Sequence, residues 1–455
     1  MNSLLPSCAL GIDIGTTKVA AAIVDTATRE VLATTSRAHE SDVRGLVTGR
    51  SEQVVPRILL NLDECISQLP VGHRRAVRVV GVTGQMHGVV LWNNATEEVS
   101  HLITWQDQRC HEDGFLAKLR SKTGDDTAQS GFGTSTLAWL AEYDPTLLAR
   151  YTSAATIHDY LVSTISKNSR SYTDPSDAAS FGFFDLYSRT WRNDLIQKAN
   201  IPHHLLPEIR PAGTLAGTLS AEVAERWGVS VGVPVGVALG DNQASLYGSL
   251  TDPTRQIALT IGTGAQLSVV VPRLPTASSR QTEPFEYRPY VGDSYIAVVA
   301  SLSGGRALAA LGRALEHFIK GLGLAAPPSL DEIQTAMHTQ GLEKISTDLR
   351  ANASLSGERH NPALRGAFMD LSFDNFTIGD MTAALCRGLV TSLRDALPQD
   401  LVSARSEVVG SGNAIRRSLL IQHIIRESFG CCLTLQEGAE TTACGAAFLA
   451  ADNLL

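Results

Sequence analysis

Asp13 and Asp241 are the two acids whose surroundings ask for a chemical explanation. Asp13 lies inside the apolar stretch ALGIDIGTTKVAAAIVD (9–25), just ahead of Gly15, Thr16 and Thr17. An ionised carboxylate is costly to bury unless a partner or a cation meets it. A Gly-Thr turn between strands presents consecutive N–H groups and hydroxyls, an anion nest suited to phosphate oxygens. An acid beside such a nest suits Mg²⁺ or its water shell; otherwise it is a hydrogen-bonded core Asp in a tight hairpin. Asp241 ends the apolar run VPVGVALG and opens DNQAS. At that strand-to-helix step its carboxylate serves either as a general base facing a cleft or as a helix N-cap.

The first stretch has an echo. CALGIDIGTTKVAAAIVD aligns without gaps with RQIALTIGTGAQLSVVV, so that Asp13 falls on Thr260, an offset of 247 residues. Each copy reads as strand, Gly-Thr turn and strand, a β-hairpin. The second turn is Gly262, Thr263 and Gly264. Two such turns facing a cleft would hold successive phosphates of a nucleotide, with one acid sufficing for one metal. Lys18, which follows the first turn, either meets those phosphates or is an exposed strand residue. No G-x-x-x-x-G-K-[ST] occurs, which argues against a P-loop enzyme. GSGNAI (410–415) lacks the third glycine of a dinucleotide fingerprint. It still makes a strand-to-helix turn where backbone can approach a ring or phosphate.

Two polar segments complete the candidates. TGQMHG sets Gln85, Met86 and His87 between two glycines after a strand; the histidine is a structural hydrogen-bonding residue or a ligand contact. If TWQDQR is extended, Trp105, Asp107 and Arg109 share one face, either a polyol contact set or a solvated strand end.

Elements must hold these groups in place. AVRVVGVTG (76–84) and VPVGVALGD (233–241) read as strands, and SEQVVPRILLNLDECISQL (51–69) and MTAALCRGLVTSLRDAL (381–397) as amphipathic helices. SEVVGSGNAIRRSLLIQHIIRESFG reads as strand, Gly-rich turn and helix, and TTACGAAFLAA (441–451) as a small-residue helix for close packing at a domain interface. The fold class is α/β with mixed sheets covered by helices. The hairpin repeat divides the 455 residues into two domains, 1–247 and 248–455.

Composition narrows the partners. The formal net charge of -8, without a basic run, disfavours nucleic acid or an anionic membrane surface. No apolar stretch is long enough to span a bilayer, and MNSLLPSCAL lacks the basic n-region of a signal peptide. Seven cysteines without a CxxC pair fit a reducing compartment, hence a cytoplasmic protein. Oligomeric state is not legible.

The set GIDIGTTKVAAAIVD, GVTGQMHGVV, TWQDQR, VALGDNQASLYG, LTIGTGAQL and VVGSGNAIRRSLL resembles the FGGY family of carbohydrate kinases, in that family's order and over residues 9 to 450. The resemblance implies two actin-like (ribonuclease-H-like) domains with the active-site cleft between them, sugar mainly on the first and ATP mainly on the second. It implies Asp241 as catalytic base, Asp13 as the anchor of Mg²⁺ through water, and Gly15, Thr16, Thr17 and Lys18 at the phosphates. Gly262, Thr263 and Gly264 would be the matching turn, while Gly304, Gly305, Gly410, Ser411, Gly412 and Asn413 line the nucleoside. Asn413 departs from the small apolar residue, and Arg416 from the small or amide side chain, often found there in relatives, which bears on nucleotide contacts. Gln85, Met86, His87, Trp105, Asp107, Arg109 and Asn242 would meet the sugar. Its phrases are most similar to the branch acting on sedoheptulose, giving the 7-phosphate; xylulose or ribulose is the alternative. The rival classes are an actin-like ATPase switch and an inactive sugar sensor. A pure switch has no use for GDNQAS, GQMHG and TWQDQR together.

Overall fold

A computed structural model of the chain describes residues 7–168, 170–275, 284–323, 326–355, 357, 358, 361, 363–436, 438 and 440–455. Residues 1–6, most of the opening segment tested above for a signal peptide, lie outside them. The chain groups into two compact units. One comprises Met1–Ser249, Pro289–Asp293 and Gly438–Leu455; the other comprises Leu250–Arg288 and Ser294–Glu437. The expected division gave everything after residue 247 to the second domain, whereas the C-terminal segment belongs with the first unit.

Among the described residues the first unit carries a seven-stranded mixed sheet. β1 (Cys8–Ile14) and β2 (Lys18–Asp25) form the hairpin, with Ile14 opposite Val19, and β3 (Val31–Ala38) extends it antiparallel. β4 (Val77–Gly84) lies parallel on the other side of β1. β5 (Leu215–Thr218) and β6 (Pro234–Gly236) continue outward, and β7 (Leu239–Gly240) pairs with the end of β4. The expected single strand over 233–241 is thus two short strands.

Alternation along β1 sorts its side chains. Leu10, Ile12 and Ile14 join a core with Ile58, Leu62, Cys65 and Ile66 of α1 (Val55–Ser67). Ala9 lies on the opposite face, and Gly11 and Asp13 share it by the same alternation. Three further helices matter to the site: α2 (Ile157–Ser166), α3 (Pro175–Phe181) and α4 (Asp241–Ser249). Thr156 and Asp174 cap the first two by accepting backbone N–H bonds.

The second unit repeats the plan. Among the described residues its sheet has six strands in the order β10-β11-β9-β8-β12-β13. These are β8 (Gln256–Ile261), β9 (Ala265–Val271), β10 (Glu286–Pro289), β11 (Tyr295–Ser301), β12 (Glu407–Ser411) and β13 (Cys432–Leu435). β8 and β9 are the second antiparallel hairpin, and β12 runs parallel to β8 as β4 does to β1. Helices α5 (Gly305–Gly321), α6 (Ile378–Asp395), α7 (Asn413–Arg417) and α8 (Leu419–Phe429) accompany the sheet. Ile257, Leu259 and Ile261 share a core with Leu389 of α6 and Ile421 of α8.

The last helix, α9 (Thr441–Leu454), packs on the first unit's sheet and on α4. Its small residues, expected at a domain interface, instead serve close packing inside that unit. A Cβ on Gly11 would stand 1.8 Å from the Ala443 carbonyl oxygen, and one on Gly445 would stand 1.9 Å from that of Ala244. All seven cysteines are free thiols, with Cys432 exposed and Cys431 half-buried. No helix among the described residues is long and apolar enough to cross a membrane.

Candidate active site

Parallel register brings three strand ends of the first unit to one level. Gly84 at the end of β4 pairs with Ile14 of β1 on one side and with Gly240 of β7 on the other. The Gly15 turn, the Gln85-Met86-His87 segment and Asp241 therefore leave the sheet side by side. In open α/β sheets ligands gather at such carboxyl ends.

The first turn is pinned from behind. Gly15 N donates to Lys18 O at 3.0 Å and closes the hairpin. The Gly15 carbonyl accepts from His39 Nε2 at 3.2 Å and Gln85 Nε2 at 3.4 Å. Thr16 O accepts from Gln53 Nε2 at 2.8 Å, and Thr17 O from His39 N at 3.2 Å. A trans peptide points its N–H opposite to its C=O. Holding the Gly15 and Thr17 carbonyls inward therefore turns the N–H groups of Thr16 and Lys18 the other way. Since a carbonyl only accepts, His39 carries its proton on Nε2, and its Nδ1 accepts from Ser41 Oγ at 2.7 Å. Burial holds the His39 ring below its usual pKa, so it stays neutral in this role.

Asp13 has the electrostatics of a cation ligand. Burial first, then the charges of Asp241 and Glu440, push its pKa up to about 7 against the opposing Lys18. Its buried Oδ1 has no hydrogen-bond partner among the described residues. An orphaned acceptor among like charges fits a hydrated divalent cation, which would supply the missing positive charge.

The remaining candidates of this unit occupy distinct settings. Lys18 is exposed and its Nζ is held by both carboxylate oxygens of Glu440 at 2.7 and 2.8 Å. Asp241 opens α4, and its Oδ1 accepts from Asn242 N at 2.6 Å; both residues are half-buried. Gln85 is buried and engaged with the turn and with Gln53 Oε1 at 3.1 Å. Met86 is buried against Gly240, where a Cβ would lie 2.4 Å from its Cε.

His87 has φ +74°, in the left-handed region unusual for a side-chain-bearing residue. Its N–H donates to Ser180 Oγ at 3.3 Å and its Nδ1 to Ser180 O at 2.8 Å, while its ring stacks on Phe132 at 4.8 Å. Donation from Nδ1 makes Nε2 the ring's acceptor.

TWQDQR is not extended. Asp107 N donates back to Thr104 O at 3.1 Å, and Arg109–Gly114 continues in 3₁₀ turns broken by a kink at Glu112 and Asp113. Trp105 is thus 41% exposed and donates from Nε1 to Thr16 Oγ1 at 3.1 Å. Asp107 and Arg109 turn inward and pair at 2.8 Å, with Arg109 also on Glu52 at 2.7 Å. Alternation of faces applies only where the chain is extended, so these two are separated from Trp105.

Sequence reasoning missed the grip of His39 and Gln53, and a buried polar cluster around α3. In that cluster His158 Nε2 meets Asp177 Oδ2 at 2.7 Å with both side chains fully buried. Burial pushes Asp177 up and His158 down, the directions of a pair sharing one proton. It also pushes the neighbouring Asp159 up to about 8, with the Asp177 charge adding to the effect. TIHDYL and TDPSDAAS carry these polar residues, with His158 and Asp177 19 positions apart, and nothing local to either segment says that they face each other.

In the second unit the Gly-rich segments touch through backbone. Gly262 N donates to Gly264 O at 2.9 Å, and the first N–H groups of α5, on Gly305 and Arg306, donate to Gly262 O and Thr263 O at 2.8 and 3.2 Å. A Cβ on Gly304 would stand 2.1 Å from Gly264 O, and one on Gly412, at φ +90°, 2.4 Å from Ile261 O. Thr260 Oγ1 and Ser411 Oγ lie 2.7 Å apart where Asp13 stands in the first hairpin. Gly410 and Ser411 thus end β12 beside the turn, Gly412 follows as the N-cap of α7, and Asn413 opens α7 exposed. Arg416 donates to Gln436 O at 2.6 Å, which ties it to its own unit.

Residues 8–248 match the family model described as the FGGY family of carbohydrate kinases, N-terminal domain. Human sedoheptulokinase is 36% identical over 448 residues, covering 92% of each chain, and the mouse protein of the same name is 35% identical over 446 residues. The crystal structure of xylulose kinase from Rhodospirillum rubrum superposes with a TM-score of 0.80 over 98% of this chain and 89% of its own, at 23% identity. At that identity the likeness speaks for the fold alone.

Proposed function

This chain belongs to the FGGY family of carbohydrate kinases, and we propose that it transfers the γ-phosphoryl group of ATP to the terminal hydroxyl of a ketose, sedoheptulose first, to give the 7-phosphate. The two mammalian relatives named sedoheptulokinase support that sugar. Carbohydrate kinase activity itself, with ATP and Mg²⁺, follows from the family. The observation that carries the assignment of roles is the alignment of Ile14, Gly84 and Gly240 at one edge of the sheet. It brings the Gly15 turn, His87 and Asp241 to neighbouring strand ends, which supports reading them as phosphate turn, sugar contact and base.

Each group then has a task that its chemistry allows. Asp13 would hold Mg²⁺ through water, and the bound cation would offset charge on the phosphate oxygens. The N–H groups and hydroxyls of Gly15, Thr16 and Thr17 orient those oxygens, as do Gly262, Thr263 and Gly264 at the second turn. Gly304, Gly305 and the Gly410–Asn413 turn carry the nucleoside. Trp105 and Asn242 contact the sugar, and His87 accepts a hydrogen bond from one of its hydroxyls at Nε2. Asp241 takes the proton of the attacking hydroxyl as its oxygen bonds to phosphorus and the bond to the ADP oxygen breaks. Gln85, Met86, Asp107 and Arg109 act from behind, since each is buried. Lys18 reaches phosphate only by leaving Glu440. Retention of both Asp13 and Asp241 favours an active kinase over an inactive sensor.

Coupled ADP release with Mg-ATP across sedoheptulose, xylulose, ribulose, glycerol and no sugar tests the proposal. Stimulation chiefly by sedoheptulose is the expected result. Stimulation chiefly by another ketose would replace the substrate and keep the mechanism; ADP release indifferent to every sugar would remove both.

A further inference from the structure

One short helix reaches both strand ends that the proposed function uses. At its start, Asp174 caps α3 by accepting from Ser176 N at 3.1 Å and Asp177 N at 3.0 Å, and it also accepts from Ser176 Oγ at 2.7 Å. Because the Ser176 hydroxyl gives its proton to that carboxylate, its lone pair is left to accept from Gly240 N, at 3.2 Å. Gly240 is the residue immediately before Asp241.

One turn later, Ser180 Oγ donates to Asp177 O at 2.9 Å and accepts from His87 N at 3.3 Å, while the Ser180 carbonyl accepts from His87 Nδ1 at 2.8 Å. Residues four apart lie on one face of a helix. Both serines are buried, with 1% and 7% of their surface exposed. The strained φ of His87 needs such support, because a left-handed side-chain-bearing residue persists only where its surroundings over-determine it.

We infer that α3 is a positioning brace for the reaction: Ser176 sets the backbone from which Asp241 projects, Ser180 sets the His87 ring, and one helical turn fixes the spacing between them. The inference rests on the reading of Asp241 as base and His87 as sugar contact. The pair His158–Asp177 anchors the helix from beneath. Loss of the Ser176 bond frees the base to move by fractions of an ångström, which acts on the chemical step. Loss of the Ser180 hydroxyl releases the His87 N–H and loosens the left-handed backbone that aims the ring, while the Ser180 carbonyl still meets Nδ1, and this acts on sugar binding.

The test compares S176A and S180A in steady-state kinetics, with S176T and S180T as hydroxyl-retaining partners and thermal unfolding of each. S176A is expected to lower kcat about tenfold with sugar KM changed less than about twofold. S180A is expected to raise sugar KM about fivefold with kcat within about twofold, and the threonine variants to recover most of each loss. Equal changes in kcat and KM that follow Tm in both alanine variants would reduce α3 to scaffold and overturn the brace, as would unchanged kinetics in both. D241N and H87A, run alongside, separate the two levels. If they lose transfer and sugar binding respectively while the serine variants stay normal, only the brace falls. If D241N retains transfer or H87A retains normal sugar KM, the underlying roles fall and the brace with them.

Discussion

The two Gly-Thr turns share a hairpin, a parallel neighbour strand and a closing hydrogen bond, yet they are held by different chemistry. In the first, carbonyls are gripped by the side chains of His39, Gln53 and Gln85. In the second, among the described residues, they are gripped by backbone N–H groups at the start of α5. The first turn follows a half-buried acid with a buried Oδ1; the second follows a threonine paired to a serine. A side-chain grip can be tuned or lost by one substitution and can respond to pH. A backbone grip depends on glycines that let two segments approach, so it fails only through sterics.

The comparison breaks most sharply at its acid. D13N should lower kcat at least about 100-fold, whereas T260A should change it less than about threefold, measured by steady-state kinetics at saturating Mg-ATP. Comparable losses in both would erase the division of labour between the turns. Next comes packing. G304A forces a Cβ against Gly264 O at 2.1 Å and should destabilise the second unit by about 1–3 kcal/mol in urea unfolding, while G262A, whose Cβ meets nothing within 4 Å, should be close to neutral. In the first turn the corresponding weakness is a side chain. Q53A leaves Thr16 O without its donor and should cost about 1 kcal/mol and raise the KM for ATP severalfold.

The smallest effect is a pH dependence confined to the first turn. Burial lowers the His39 pKa from its usual 6.5, so the fold favours the neutral ring. Its contribution is fully present above about 6.5 and is lost as pH falls through the lowered folded value. Urea midpoints of wild type and H39Q should therefore differ less at about pH 5 than at about pH 7.5. A gap that widens on acidification would contradict the assignment of a neutral His39.

Much of this site was legible locally. The alternating strand, the Gly-Thr turn and the strand-to-helix step at Asp241 each depend on residues within a few positions, and all three are present. The shared face of TWQDQR holds only for an extended chain, and Thr104 instead closes a turn that buries Asp107 and Arg109. The small-residue helix at 441–451 was recognised as a close-packing element, but its partner sheet begins more than 400 residues earlier.

The sequence by itself determined the two hairpins, their glycines and the acids at strand ends, because turn conformation and side-chain alternation are set by neighbouring residues. Tertiary structure alone decided what grips each turn and where each charge is spent. Gln53 reaches Thr16 across 37 positions and Glu440 reaches Lys18 across 422. Hydrogen bonds and ion pairs are satisfied by whatever folding brings within about 3 Å, and that proximity is written in no single segment.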